Sequence, residues 1–217
     1  MWSAVLAFVG AIVYGSADFL GGLAARRLRA TMVTAVAAVS GAVLLGVLTP
    51  VLDGSPTGTD VLWGAASGAA GAIAIGLLYG CLAIGPMSVL SPVTAVVSAI
   101  APMLWGVLVS GERLGALAVA GLAVALVAIV LVALLPGERI VRPSPRALLM
   151  ATGSGLAIGA FLILLDQTGD DSGLLPLVTS RVVNAAITGG IAAGFVIAAV
   201  RSGRSARSAV LVGGARG

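Results

Sequence analysis

Apolar residues fill this chain in long runs, and polar residues are confined to the short stretches between them. The runs are Trp2–Ala25, Thr31–Leu52, Val61–Ile84, Met87–Ser110, Leu114–Leu135, Ala147–Leu165 and Leu174–Val200. They show no strand-like alternation and are apolar on every face, as helices buried in lipid are. At ~1.5 Å per residue each can cross a hydrocarbon core of ~30 Å. The pattern predicts an all-α membrane protein, a multi-span helical bundle. The interruptions are turn formers: Asp53 to Asp60, Gly85-Pro86, Gly111-Glu112-Arg113 and Asp166 to Gly173. The Gly111–Arg113 hinge is short enough to make the fourth and fifth runs antiparallel neighbours. The polar linker Pro136 to Arg146 separates two groups of spans.

Composition agrees. The 217 residues are 59% hydrophobic and 9% charged, against about 25% charged in a soluble domain. So few charges cannot clothe a surface in water, and the lipid bilayer is the expected solvent. The net charge of +4 comes without basic clusters interleaved with aromatics, so no nucleic-acid partner is expected. There is no His, and every basic residue is Arg. That excludes His-based triads, His-ligated metals, a Walker A lysine and a Schiff base. No nucleophile–base pair or metal cluster is visible, so neither an enzyme nor a cofactor is expected. Cys81 lies alone within an apolar run and reads as a packing residue. Trp2–Ala25 is followed, not preceded, by its arginines, which suits a stable first span better than a cleaved leader.

Charge has a side. If the spans alternate, one side holds Arg26, Arg27, Arg29, Arg139, Arg142, Arg146, Arg201, Arg204, Arg207 and Arg216. The other holds Arg113 with Asp53, Asp60, Glu112, Asp166, Asp170 and Asp171. The positive-inside rule then places the N-terminus outside and the C-terminus in the cytoplasm of a bacterial-type inner membrane. The loop after the first span is basic and the loop after the sixth is acidic. An odd-numbered unit repeated upside down would give that reversal. Small-xxx-small pairs recur at Gly64/Gly68, Gly76/Gly80, Gly155/Gly159 and Gly190/Gly194 and read as helix-packing sites.

The stretch Leu82 to Leu135 organises the chain. Its first run carries Pro92 and Pro102, which free the carbonyls of Ser88 and Ser98. A helix broken twice at membrane depth suggests a polar cavity, although structural kinks occur as well. An Ala/Gly-rich span ending at Gly85, a kinked span with Pro102, a Gly-Glu-Arg-Leu hinge from Gly111 to Leu114 and Gly121 early in the next span resemble the second half of the EamA repeat. That repeat belongs to the drug/metabolite transporter superfamily. The resemblance covers about fifty residues and rests on order and spacing. It implies a secondary transporter for small organic solutes or metabolites, proton- or gradient-driven, with two five-span units. Residues 1–136 would form the first unit, 137–146 the linker, and 147–217 two spans of an inverted second unit with a short basic tail. The family is generally drawn with a cytoplasmic N-terminus, so the charge count departs from it. A shared pathway would then need a homodimer or a separate partner half, and a lone monomer is not expected to transport efficiently. The runner-up is a non-transporting membrane subunit that packs with such a half.

Two ionisable residues fall within spans. Arg181 lies in the seventh run beside Thr179, Ser180 and Asn184, and an arginine mid-span costs roughly 2.5–3.5 kcal/mol. Either it faces a cavity, or it snorkels to the interface. Family members often carry an arginine at this place, which the resemblance adds to the first reading. Asp18 follows Tyr14-Gly15 in the first run and either lines the pathway or marks the interface. The two start from opposite ends of their spans, which separates them by about 12 Å along the membrane normal. A water-bridged link is expected in place of direct contact. Tyr14, Tyr79 and Trp105 are candidate lining aromatics, with belt anchoring as the alternative. The substrate-pathway candidates are therefore Asp18, Arg181, Tyr14 and Asn184, with Ser88, Pro92, Ser98, Pro102 and Trp105 on the fourth run.

Overall fold

A computed structural model describes residues 2–51, 54–134 and 143–202. Arg139, Arg142, Arg204, Arg207, Arg216 and Asp53 lie outside the described residues, as does most of the linker. Among the described residues there are seven α-helices and no strands: α1 (Trp2–Ala25), α2 (Ala30–Leu48), α3 (Gly58–Ile84), α4 (Met87–Leu108), α5 (Ala116–Leu134), α6 (Pro145–Asp166) and α7 (Leu175–Arg201). A short 3₁₀ turn, Thr49–Val51, extends α2. Six helices are long and apolar enough to cross a membrane. α5 consists of 19 residues, all Ala, Val, Leu, Ile or Gly. The protein is an all-α membrane bundle.

Local chemistry sets the helix ends. Thr57 caps α3 through a capping box: its Oγ1 accepts from the Asp60 N–H, and Asp60 Oδ2 accepts from the Thr57 N–H at 2.7 Å. Ser144 caps α6, with Pro145 in its first turn. α4 ends where Gly111 turns the chain at φ 69°, a backbone that glycine adopts without penalty. The Glu112 N–H then donates to the Gly106 carbonyl at 2.9 Å. α4 runs through Pro92 and Pro102 as one helix. Each proline withholds one donor, and the hydrogen bonds on either side carry the helix past it, so the expected double break does not occur.

α3 is the centre of the bundle. It packs against α6 on one face and α7 on another, α4 covers α6, and α2 covers α7. α1 and α5 lie at the periphery, touching their neighbours sparsely. Two of the glycine pairs seat neighbouring helices. A Cβ on Gly64 or Gly68 would strike the α7 backbone at Pro176 and Ser180. One on Gly155 or Gly159 would come within 2.6 Å of Val97 and Ala101 of α4. Gly76, Gly190 and Gly194 have open space beside them, so Gly190/Gly194 seats nothing. Buried hydroxyls tie the same helices together. Ser154 Oγ donates to the Ala74 carbonyl at 2.8 Å, and Thr94 Oγ1 to the Ala151 carbonyl at 3.1 Å.

The two ends of the bundle differ in charge. At one end Ala25, Leu82, Leu90 and Ala147 pack in a single cluster. Arg29 there lies over the Phe195 ring at 4.8 Å. These contacts gather Arg26, Arg27, Arg29, Arg146 and Arg201 at that end. At the opposite end Asp60 Oδ1 accepts from the Gly169 N–H at 2.8 Å, and the Ser55 N–H donates to the Asp171 carbonyl at 2.7 Å. Glu112, Asp166, Asp170 and Asp171 share this end with Arg113. The division of described charges by side is the one the alternating spans predict.

Candidate functional site

A cavity of about 340 Å³ opens between α1, α2, α3 and α7. Its wall contains Tyr14 and Asp18 from α1, Thr34 and Gly41 from α2, Tyr79 from α3, and Arg181 and Asn184 from α7. Helical spacing explains the grouping. Arg181 and Asn184 are three residues apart on one face of α7, and Tyr14 and Asp18 are four apart on α1. Four polar candidates from the sequence, Tyr14, Asp18, Arg181 and Asn184, thus share one space although they come from the two ends of the chain.

Arg181 reaches the cavity because α2 leaves room for it. A Cβ on Gly41 would lie 3.3 Å from Arg181 Cδ and 3.5 Å from Nε. Asn184 is 4% exposed, and its Oδ1 is buried without a hydrogen-bond partner. Gly71 makes room for it, since a Cβ there would sit 3.3 Å from Asn184 Nδ2. An unpaired buried amide oxygen costs about 1–3 kcal/mol. Tyr79 is buried, and its hydroxyl occupies the place a side chain at Gly21 would take. Asp18 and Arg181 line this wall without forming an ion pair. The cavity wall therefore combines one acidic and one basic side chain, with the enclosed Asn184 amide beside them.

Asp18 also borders a second, larger cavity of about 570 Å³ between α1, α3, α4 and α5. Ser88, Ser91 and Pro92 line its α4 wall. Ser88, whose carbonyl Pro92 cannot bond, is among these lining residues. A third cavity, about 450 Å³, lies at the acidic end, where Pro102 and Trp105 meet Glu112 and Asp166. Ser98 lines none of the three; its Oγ donates to the Ala95 carbonyl within its own helix at 3.0 Å. Eight of the nine candidates are therefore divided among three spaces. Thr34, Gly41, Ser91, Glu112 and Asp166 were not among them. Gly41 and Thr34 have no signal in a run of small residues until α7 is placed opposite them. Among the described residues no three Cys, Asp or Glu side chains gather as a metal site.

Comparison with family models, with curated proteins and with solved structures gives no match for this chain.

Proposed function

We propose that the chain is a secondary carrier, or part of one, moving a small organic solute across a bacterial-type inner membrane. One observation carries the reading: Asp18, Arg181 and the unpartnered Asn184 converge on one cavity at membrane depth. Ionisable groups inside a membrane are expensive and characteristically belong to solute or proton pathways. The resemblance of Leu82–Leu135 to the EamA repeat points the same way. Asp18 borders both membrane-depth cavities, so it is the residue assigned to couple solute movement to a proton or another cation. The arginine-rich end is assigned to the cytoplasm, because basic loops are retained on that side.

Counterflow in proteoliposomes, with a panel of labelled amino acids, amines, carboxylates and sugars, tests this. Solute-specific exchange that is lost in Arg181→Gln supports the carrier. A folded sample that exchanges none of them favours the second reading, a non-transporting subunit that packs with a partner half or a second copy.

A further inference from the structure

We infer that the arginine-rich end of the bundle holds the headgroup of an anionic phospholipid, with the guanidinium of Arg29 at its centre. The inference is independent of the carrier reading. Charge at this end is unbalanced. Arg26, Arg27 and Arg29 fill the turn between α1 and α2, Arg146 stands in the first turn of α6, and Arg201 ends α7. The acids described outside the spans, Asp60, Glu112, Asp166, Asp170 and Asp171, lie at the opposite end. In the sequence the arginine side carries one acid, Glu138, in the linker. Among the described residues no carboxylate forms an ion pair with these arginines. The N-termini of α2, α4 and α6 also lie here, with no acid in their first turns. Their dipoles add to the positive potential.

Packing fixes part of this patch in place. Arg29 lies over the Phe195 ring at 4.8 Å, and its Nε is enclosed by the protein. The stack holds the guanidinium plane against α7, so less side-chain freedom is lost when it binds. Arg26 follows Ala25 and Arg146 precedes Ala147, and both alanines belong to the apolar cluster that closes this end. Both arginines are themselves exposed. Leu23, Ile197 and Val200 nearby are exposed and apolar, as surfaces that meet acyl chains are. The patch thus stands at the span ends, where the headgroup layer begins, and lipid phosphate is the anion at hand. Planar guanidinium groups bind phosphate oxygens in pairs through charge-assisted hydrogen bonds. A zwitterionic headgroup brings its own positive charge to the patch, and an anionic one does not.

The test is native mass spectrometry of the purified full chain, titrated with phosphatidylglycerol or with phosphatidylcholine of the same acyl chains. Phosphatidylglycerol should bind at least about tenfold more tightly, since several arginines meet its charge at once. Arg29→Gln should weaken phosphatidylglycerol about fivefold, the share of one arginine near an anionic surface. Phe195→Leu keeps every charge and removes only the stack, and it should weaken the same lipid about threefold. Arg113→Gln, at the opposite end, should leave the affinity unchanged. Glycerophosphoglycerol, the headgroup without its chains, should not displace the lipid at equal concentration. Equal affinities for the two lipids would overturn the inference. So would a preference left intact by Arg29→Gln or by Phe195→Leu, or an equal loss in Arg113→Gln. Displacement by glycerophosphoglycerol would overturn it too, by making the patch a site for soluble phosphodiesters. Should Arg29→Gln fail to fold, the lipid comparison and Phe195→Leu decide. Counterflow tests the carrier, and neither result for the lipid bears on it.

Discussion

Gly41 lies beneath the stem of Arg181, and a single methyl group there would stand 3.3 Å from Arg181 Cδ. The contact is tight, but the neighbour is a flexible side chain and can yield by a few tenths of an ångström. Gly41→Ala should therefore leave the melting temperature within a few degrees of wild type, because helix propensity gains up to ~1 kcal/mol on replacing Gly. Ligand affinity should fall severalfold as the guanidinium is displaced. Differential scanning fluorimetry and titration on the same sample separate the two effects. Loss of both in parallel would make Gly41 a packing residue only.

Gly68 differs because its neighbour is backbone. A Cβ there would strike Ser180 of α7, which cannot rotate away. Gly68→Ala should cost about 1–3 kcal/mol by overpacking the α3–α7 contact. Gly190→Ala, with nothing nearby, should be neutral or slightly stabilising. Thermal unfolding of both variants in one detergent checks the contrast.

Ser154 donates across the α6–α3 contact to the Ala74 carbonyl. Removing that hydroxyl in Ser154→Ala should cost about 0.6 kcal/mol, the average for interhelical hydrogen bonds within membranes, and no more than ~2. Unfolding by a denaturing detergent, followed by circular dichroism, has the precision to read it.

The helices were legible in the sequence, and the grouping of their faces was not. Runs of Ala, Val, Leu and Gly mark spans by length and hydropathy alone, so every predicted span has its helix and the ends agree within a few residues. Such runs have no polar stripe, so they do not say which face meets which neighbour. Asp18 and Arg181 could be singled out because charge is rare in lipid. Their common cavity follows only once α7 is placed beside α2 and α3. Pro102 and Trp105 sit with Glu112 and Asp166 in a separate cavity at the acidic end. Proline chemistry tells which carbonyl is freed and leaves open which space it faces.

Asp60 holds two loops at once: it closes the capping box of α3 and accepts from the Gly169 amide between α6 and α7. Asp60→Ala removes both functions and should destabilise the fold by about 1–3 kcal/mol. Hydrogen exchange should quicken at Gly169 and in the first turn of α3, while the Arg29–Phe195 end stays protected. Exchange that rises equally at both ends would mean Asp60 supports the bundle as a whole and not its acidic end.

The sides of the membrane are open to direct test. Reporter fusions after Arg29 and Arg146 should report cytoplasm, and fusions after Gly58 and Asp171 the opposite compartment. The reverse result would place the arginine-rich end outside and overturn the orientation drawn from charge.

α1 brings Asp18 to the site on a helix that the rest of the bundle barely grips, with Leu6, Phe8, Val13 and Leu20 all more than half exposed. α7 brings Arg181 on a helix clamped between α2 and α3. With its first turns bare of protein, α1 would take its tilt from the acyl chains, whereas packing against α2 and α3 holds α7. In a thinner bilayer a long apolar helix tilts to hide its ends, and here that would carry the carboxylate sideways past a stationary guanidinium. On the carrier reading, lipid chain length would thereby become a variable of solute binding, and solute affinity should follow it in vesicles of graded thickness.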